Sequence, residues 1–189
     1  MLEIQRLGGA DLGTAVDSAT LLEGIRRQRR LNFAPGSRFL YSNSNFLLLG
    51  RIAEHLSGEP LPGFLERRIF APLGMSDTRM VEDPYEAVPR LATGYRPGEG
   101  GGWARAPHGF RIGGEGGLVS SVEDLALWDR NFTTRRIGAD WLDALSEQTP
   151  FNNGRENFYA RGLIVRGYRG VRTVSHSGLW PGYRTEFLR

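Results

Sequence analysis

The chain has 189 residues, 40% apolar and 24% charged, which is long enough to enclose one core and ordinary in composition for a globular protein. It has no Cys, which excludes disulfides, thiolate metal sites and a cysteine nucleophile. Its net charge of +3 sets 24 basic residues against 21 acidic ones, and every basic residue is Arg, because the chain contains no Lys. Arg pairs such as Arg26-Arg27, Arg29-Arg30, Arg67-Arg68 and Arg135-Arg136 lie among the acidic residues, and no recognition motif accompanies them. They read as solvated helix faces, so no nucleic-acid partner is expected. No apolar run approaches the ~18 residues of a membrane span. Met1 to Ala10 lacks the basic-then-apolar plan of a signal peptide.

Met1 to Asp17 is only weakly periodic. Thr20 to Arg30 reads as a helix, with Thr20 and Glu23 at capping-box spacing and a stripe of Leu21, Leu22 and Ile25. Pro35-Gly36 signals a turn, Phe39 to Tyr41 a short extended run, and Asn43-Ser44-Asn45 offers caps for the helix that follows. That helix, about Ser44 to Leu56, is apolar around most of its circumference at its start and is expected deep in the core. Ser57-Gly58 ends it. Pro62 opens a further helix to Phe70, stopped by Pro72 and Gly74. Val81 to Arg111 is rich in Pro and Gly and reads as a long surface excursion with a short strand around Leu91 to Tyr95. Ser120 and Glu123 repeat the capping-box spacing before a helix through Leu125, Ala126, Trp128 and Phe132, and another lies near Ala139 to Glu147. Period two then takes over: Tyr159 to Val165 and Val171 to Ser175 read as strands joined at Gly167 to Gly170. His176-Ser177-Gly178, a Pro181-Gly182 turn and a last strand from Tyr183 to Leu188 follow.

The three His, at 55, 108 and 176, are far apart without metal-ligand spacing, so no metal and no other cofactor is expected. The glycines fit neither G-x-G-x-x-G nor a P-loop, and no G-x-S-x-G elbow exists. Two short motifs remain. If Tyr41-Ser42-Asn43 is extended, Tyr41 and Asn43 point to one side, placing a phenol and a carboxamide together at the mouth of a helix. The plain alternative is a buried Tyr beside a helix cap. In His176-Ser177-Gly178, His176 and Gly178 share a side. The Gly leaves room for a substrate backbone, and the N–H groups just after it can hold an oxyanion. Here the plain alternative is a strand ending in a polar turn.

Taken together, Pro35-Gly36, Tyr41-Ser42-Asn43, Gly50, Ser57-Gly58, Ile69 to Met75 with Thr78, Gly116-Gly117-Leu118 with Asp124 to Trp128, and His176-Ser177-Gly178 with Pro181 to Arg184 resemble the serine β-lactamase and penicillin-binding-protein superfamily. The resemblance is to its branch of class C β-lactamases, D-aminopeptidases and esterases, and covers nearly the whole chain from Phe33 onward. It implies an α+β fold: one partial β-lactamase-like domain over 1–189, mainly helical with long loops over 1–150, and antiparallel strands carrying His-Ser-Gly over 151–189. It implies a small-molecule or peptide substrate, an amide or ester cleaved through an acyl-enzyme. By that resemblance Tyr41 is the general acid/base and Asn43 the amide that binds substrate. His176 is the basic residue of the third motif, with Ser177, Gly178 and the Leu179 N–H lining the substrate. The physics agrees: a Tyr needs neighbouring positive charge to work as a base, and a His supplies it only when protonated.

The family's Ser-x-x-Lys motif has no counterpart, since there is no Lys. The expectation is therefore a fragment of a serine hydrolase, incomplete at both ends and inactive alone, with unpaired sheet edges and uncovered apolar helix faces. In a periplasmic or secreted parent, the export signal would lie upstream. A non-catalytic binding or scaffold remnant of the same fold is the rival. His in place of the family's Lys leans away from a true β-lactamase and toward D-amino-acid amides, peptides or esters. Arg184 reads either as a carboxylate partner or as a strand-surface residue.

Overall fold

Helices come first along the chain and the main sheet last, in an α+β arrangement. The computed structural model describes residues 17–83, 85–106 and 113–189. The weakly periodic start, His108 and Arg111 fall outside these, apart from Asp17.

Helix α1 (Ser18–Arg26) is capped by Asp17, whose Oδ1 accepts from the Thr20 N–H at 2.7 Å. This corrects the expected Thr20/Glu23 box: the cap lies three residues earlier, and Glu23 instead pairs with Arg27 one turn on. Helix α2 (Asn43–Ser57) is capped by Ser42 rather than by the Asn43-Ser44-Asn45 cluster, and Gly58 ends it in the left-handed region at φ 73°. Its expected depth is also corrected. Leu47 and Gly50 are buried, but Leu49, Ile52 and Leu56 are 55%, 52% and 79% exposed, because no element among the described residues covers that side. The buried side is pressed backbone to backbone. A Cβ on Gly50 would lie 2.8 Å from the Gly114 N, and one on Gly114 would lie 2.4 Å from the Phe46 carbonyl oxygen.

Helix α3 (Leu61–Leu65) runs through a π-turn (Glu66–Phe70) into α4 (Ala71–Leu73). Pro72 therefore does not stop it. In the π-turn the Ala71 N–H reaches back to the Glu66 carbonyl, and the widened ladder avoids the usual clash of a proline ring with the carbonyl four residues earlier. Gly74, at φ 79°, ends the run. Phe70, Leu73 and Met75 are buried and pack with Leu65, Ile69, Leu127, Trp128 and Ile137, joining this helix to α5 (Val122–Thr134). Burying the first three contributes about 1.5–3 kcal/mol each.

Ser121, not Ser120, caps α5, accepting from the Asp124 N–H at 3.1 Å. The Asp124 carboxylate is 4% exposed and takes the Asp77 N–H at 2.8 Å and the Thr78 hydroxyl at 2.7 Å. Thr78 has one hydrogen and spends it there, so Ser120 donates to Thr78 Oγ1 at 2.7 Å. The next helix is shorter than expected: α6 covers only Leu142–Leu145.

Two small ladders stand beside the helices. β1 (Arg79–Met80) pairs with β4 (Leu118–Val119), seating the 113–117 glycine segment on α2. The 81–111 excursion contains a hairpin in place of the single strand expected at Leu91 to Tyr95. β2 (Tyr95–Pro97) pairs with β3 (Trp103–Arg105), and the glycine run between them forms the tip.

The main sheet is β5 (Ile164–Tyr168), β6 (Val171–Trp180) and β7 (Tyr183–Leu188), antiparallel in that order. The first strand begins at Ile164 rather than Tyr159, which makes only an isolated bridge to it. Two-residue turns join the strands. Arg169 and Gly170 are both at positive φ, 50° and 82°, as a tight hairpin with native twist requires. His176-Ser177-Gly178 therefore lies inside a ten-residue strand, not in a turn after one.

Candidate functional site

Tyr41 and His176 come from opposite ends of the described chain and meet with ring centroids 5.9 Å apart. The placement of Tyr41 begins upstream. The Asn152 amide donates to the Pro35 carbonyl at 2.9 Å, and the Asn152 N–H donates to the Gly36 carbonyl at 2.9 Å. Phe39 then packs on Phe158 at 5.2 Å and on Tyr159 at 4.8 Å. These contacts hold the segment before α2 against the start of the sheet. Ser42 is extended at φ −146°, the geometry that sets Tyr41 and Asn43 on a common side. Asn43 is the first residue of α2 and is exposed, and neither its carboxamide nor the Tyr41 hydroxyl is hydrogen-bonded among the described residues. Tyr41 is 49% exposed.

His176 is half-buried on β6, on the side of the sheet that also buries Val174. Its Nδ1 lies 2.7 Å from the Ser177 carbonyl oxygen, and its Nε2 lies 3.1 Å from the Tyr159 hydroxyl. Tyr159 also touches Tyr41, at 6.1 Å between centroids and nearly perpendicular. This third ring was not singled out from sequence, and it is the one that links the other two. Burial, with Tyr41 beside it, pushes its phenol up to about 12.

The ladder fixes where the backbone groups of the motif point. Val174 and Arg189 exchange both hydrogen bonds, so even-numbered residues of β6 face β7 and odd-numbered ones face the β5 side. The last β5 pair is Ile164 with Ser175. Beyond it, the N–H and carbonyl groups of Ser177 and Leu179 point to a side with no partner strand among the described residues. That is why the Ser177 carbonyl can accept from His176. The Leu179 N–H is correspondingly directed outward, and its side chain is 72% exposed. Gly178 also has a packing reason within the sheet. A Cβ there would lie 2.2 Å from Thr185 Oγ1 on β7, so the missing side chain makes room for Thr185. Arg184 donates to the Trp180 and Tyr183 carbonyls at 3.0 and 2.7 Å and braces the β6–β7 turn. Tyr183 donates to the Ala92 carbonyl at 2.6 Å and accepts from the Gly94 N–H at 3.1 Å, tying the β2–β3 excursion to the same end of the sheet.

Among the described residues no cluster of three or more His, Asp or Glu side chains is arranged to hold a metal ion, and no helix is long and apolar enough to cross a membrane. His55 is exposed on α2.

Comparison with known proteins bears on the family and the fold. The beta-lactamase family model matches residues 6–188. A D-aminopeptidase from Brucella anthropi is 30% identical over 163 residues, which are 86% of this chain and 31% of that protein. The octameric penicillin-binding protein homologue from Pyrococcus abyssi superposes with a TM-score of 0.77 at 27% identity, over 94% of this chain and 41% of its own. D-amino acid amidase from Ochrobactrum anthropi SV3, complexed with D-phenylalanine, shares the fold at 24% identity and a TM-score of 0.70, over 90% of this chain and 53% of its own. The chain thus spans about a third of the length of that curated relative and between two fifths and just over half of the length of these structures. With that family model matching residues 6–188 and with this helix-plus-antiparallel-sheet architecture, the chain belongs to the beta-lactamase family.

Proposed function

We propose that this chain forms one wall of the acyl-enzyme site of a serine hydrolase that cleaves an amide or ester, with D-amino-acid amides and peptides as the favoured substrates. The observation that carries this reading is the meeting of Tyr41 and His176, two residues far apart in sequence, beside an exposed and unpaired Asn43 carboxamide. Tyr41 moves the proton between nucleophile and leaving group, and Asn43 holds a substrate amide. The outward Leu179 N–H is one donor to the oxyanion, where a single donor supports about 10²–10³ in rate. Ser177 and Gly178 form the strand along which the substrate lies. The substrate preference draws support from the D-aminopeptidase relative and the D-amino acid amidase.

The same site lacks a Ser-x-x-Lys pair, because the chain has no Lys. The 189-residue chain alone is accordingly inactive. Incubation with a fluorophosphonate or a fluorescent penicillin leaves it unlabelled, and a version extended to include a Ser-x-x-Lys segment is labelled stoichiometrically and hydrolyses a D-amino-acid amide. Labelling of the 189-residue chain itself would overturn the inactivity. An extended version that still turns over after its Ser is replaced would overturn the mechanism, and one that binds without turnover would support a scaffold role.

A further inference from the structure

We propose that Tyr159 is a positioning residue for His176: with the Ser177 carbonyl, its hydroxyl fixes the imidazole as the Nδ1–H tautomer. The inference deepens the hydrolase reading and rests on it for its relevance to catalysis, but its geometry stands separately.

A carbonyl oxygen only accepts, so the 2.7 Å contact to Ser177 requires the hydrogen to sit on His176 Nδ1. In the neutral ring Nε2 then carries a lone pair, and the hydroxyl 3.1 Å away is the group that donates to it. A phenol that keeps its proton throughout the neutral range suits that role. The two partners belong to different segments, one to β6 itself and one to the stretch before β5, so the ring cannot turn without breaking both bonds.

Tyr159 is in turn fixed before it meets His176. Its N–H donates to Asn157 Oδ1 at 3.1 Å, its backbone bridges to Ile164, and the neighbouring Phe158 carbonyl accepts from the Val165 N–H at 2.8 Å. Its ring lies on Phe39 and against the edge of Tyr41. The same side chain therefore sets the orientation of His176 and the spacing of Tyr41 from it. As a consequence Nε2 is not free to receive a proton from substrate or nucleophile.

The test is a long-range ¹H–¹⁵N correlation of the histidine-labelled 189-residue chain in mildly alkaline buffer. The chain has three His, and His176→Gln assigns the relevant ring. The expected result is Nδ1–H with a hydrogen-bonded, pyridine-type Nε2. In Tyr159→Phe, loss of one hydrogen bond should lower the ratio of Nδ1–H to Nε2–H by roughly fivefold to tenfold and move Nε2 toward its unbonded position. Phe39→Leu loosens the packing of Tyr159 but keeps its hydroxyl, and should leave the tautomer unchanged. An Nε2–H ring in the unmodified chain overturns the proposal, and that measurement suffices if Tyr159→Phe does not fold. An unchanged spectrum in Tyr159→Phe, or the same shift in Phe39→Leu, overturns it too. Because no turnover is read, failure here leaves the hydrolase reading standing, and failure of the hydrolysis assay leaves the tautomer result standing.

Discussion

Two groups of polar side chains in this fold are built to opposite rules. Around Asp124 the polar groups bond to one another. The carboxylate is almost fully buried and takes a backbone N–H and a hydroxyl, and Ser120 completes the chain of donors. Around Tyr41 and His176 the accounting is left open. The Tyr41 hydroxyl and the Asn43 carboxamide lack hydrogen bonds among the described residues, and the Leu179 N–H faces a side with no partner strand. A closed network fastens the turn after α4 to α5, and an open one leaves groups available for a ligand. The difference separates a structural cluster from a candidate active site where residue type alone does not.

The contrast can be broken most directly at its two centres. In an extended, catalytically competent version, Tyr41→Phe is expected to lower kcat by about 10²–10⁴ while changing unfolding stability by no more than about 0.5 kcal/mol. Rate assays and urea denaturation on the same sample decide it, and a large loss of stability would move Tyr41 to the structural side. Asp124→Ala should do the reverse. It strands the buried Thr78 hydroxyl, unpairs the Asp77 N–H and costs about 2–4 kcal/mol, read as a lower urea midpoint. Gly50→Ala tests the seat of α2, the helix whose start carries the site. Crowding against the Gly114 backbone at 2.8 Å costs about 1–3 kcal/mol, offset by up to about 1 kcal/mol of helix propensity, so a net loss near 1 kcal/mol is expected.

The smallest effect is a pH slope at Tyr159. Its phenol is raised to about 12, whereas an unfolded tyrosine ionises near its ordinary value of about 10. Between those values the folded chain holds a proton that the unfolded chain releases. This contribution to stability is therefore intact below about pH 10 and falls as pH rises toward 12. Tyr159→Phe should lack that part of the slope when denaturation midpoints are compared on either side of pH 10.

Much of this was legible in the residues, for identifiable reasons. Tyr41 and His176 sit in short blocks with strong local punctuation, Pro35-Gly36 before one and Pro181-Gly182 after the other. The order of helices and strands follows from a clear change of period after Asn157. Tyr159 was hidden because alternation across Tyr159 to Val165 reads as one strand. In the fold, Asn157 bends the chain at its own side-chain turn, and Gly162, at φ 88°, interrupts the run. The sequence of α2 implies more depth than the fold provides, because an apolar surface records that something can cover it, not that anything does. The cap positions slipped because Asp17, Ser42 and Ser121 each stand next to, or a turn away from, another residue with the same chemistry. The packing of Thr185 over Gly178 is not legible in the sequence, because a cross-strand neighbour can be named only once the register is known.

The two-residue turns at Arg169-Gly170 and Pro181-Gly182 also govern the order in which the site is assembled. Every pairing in the β5–β6–β7 sheet joins neighbours in sequence, so its loop-closure entropy is small, and such hairpins form in about 1–10 μs. The contact of Tyr41 with His176 must close most of the described chain, which makes it a late event in folding. The His176 half of the site is thus laid down as a local module, and the Tyr41 half docks onto it. Mutations in the turns should slow folding, whereas those at the Tyr41 seam should mainly hasten unfolding.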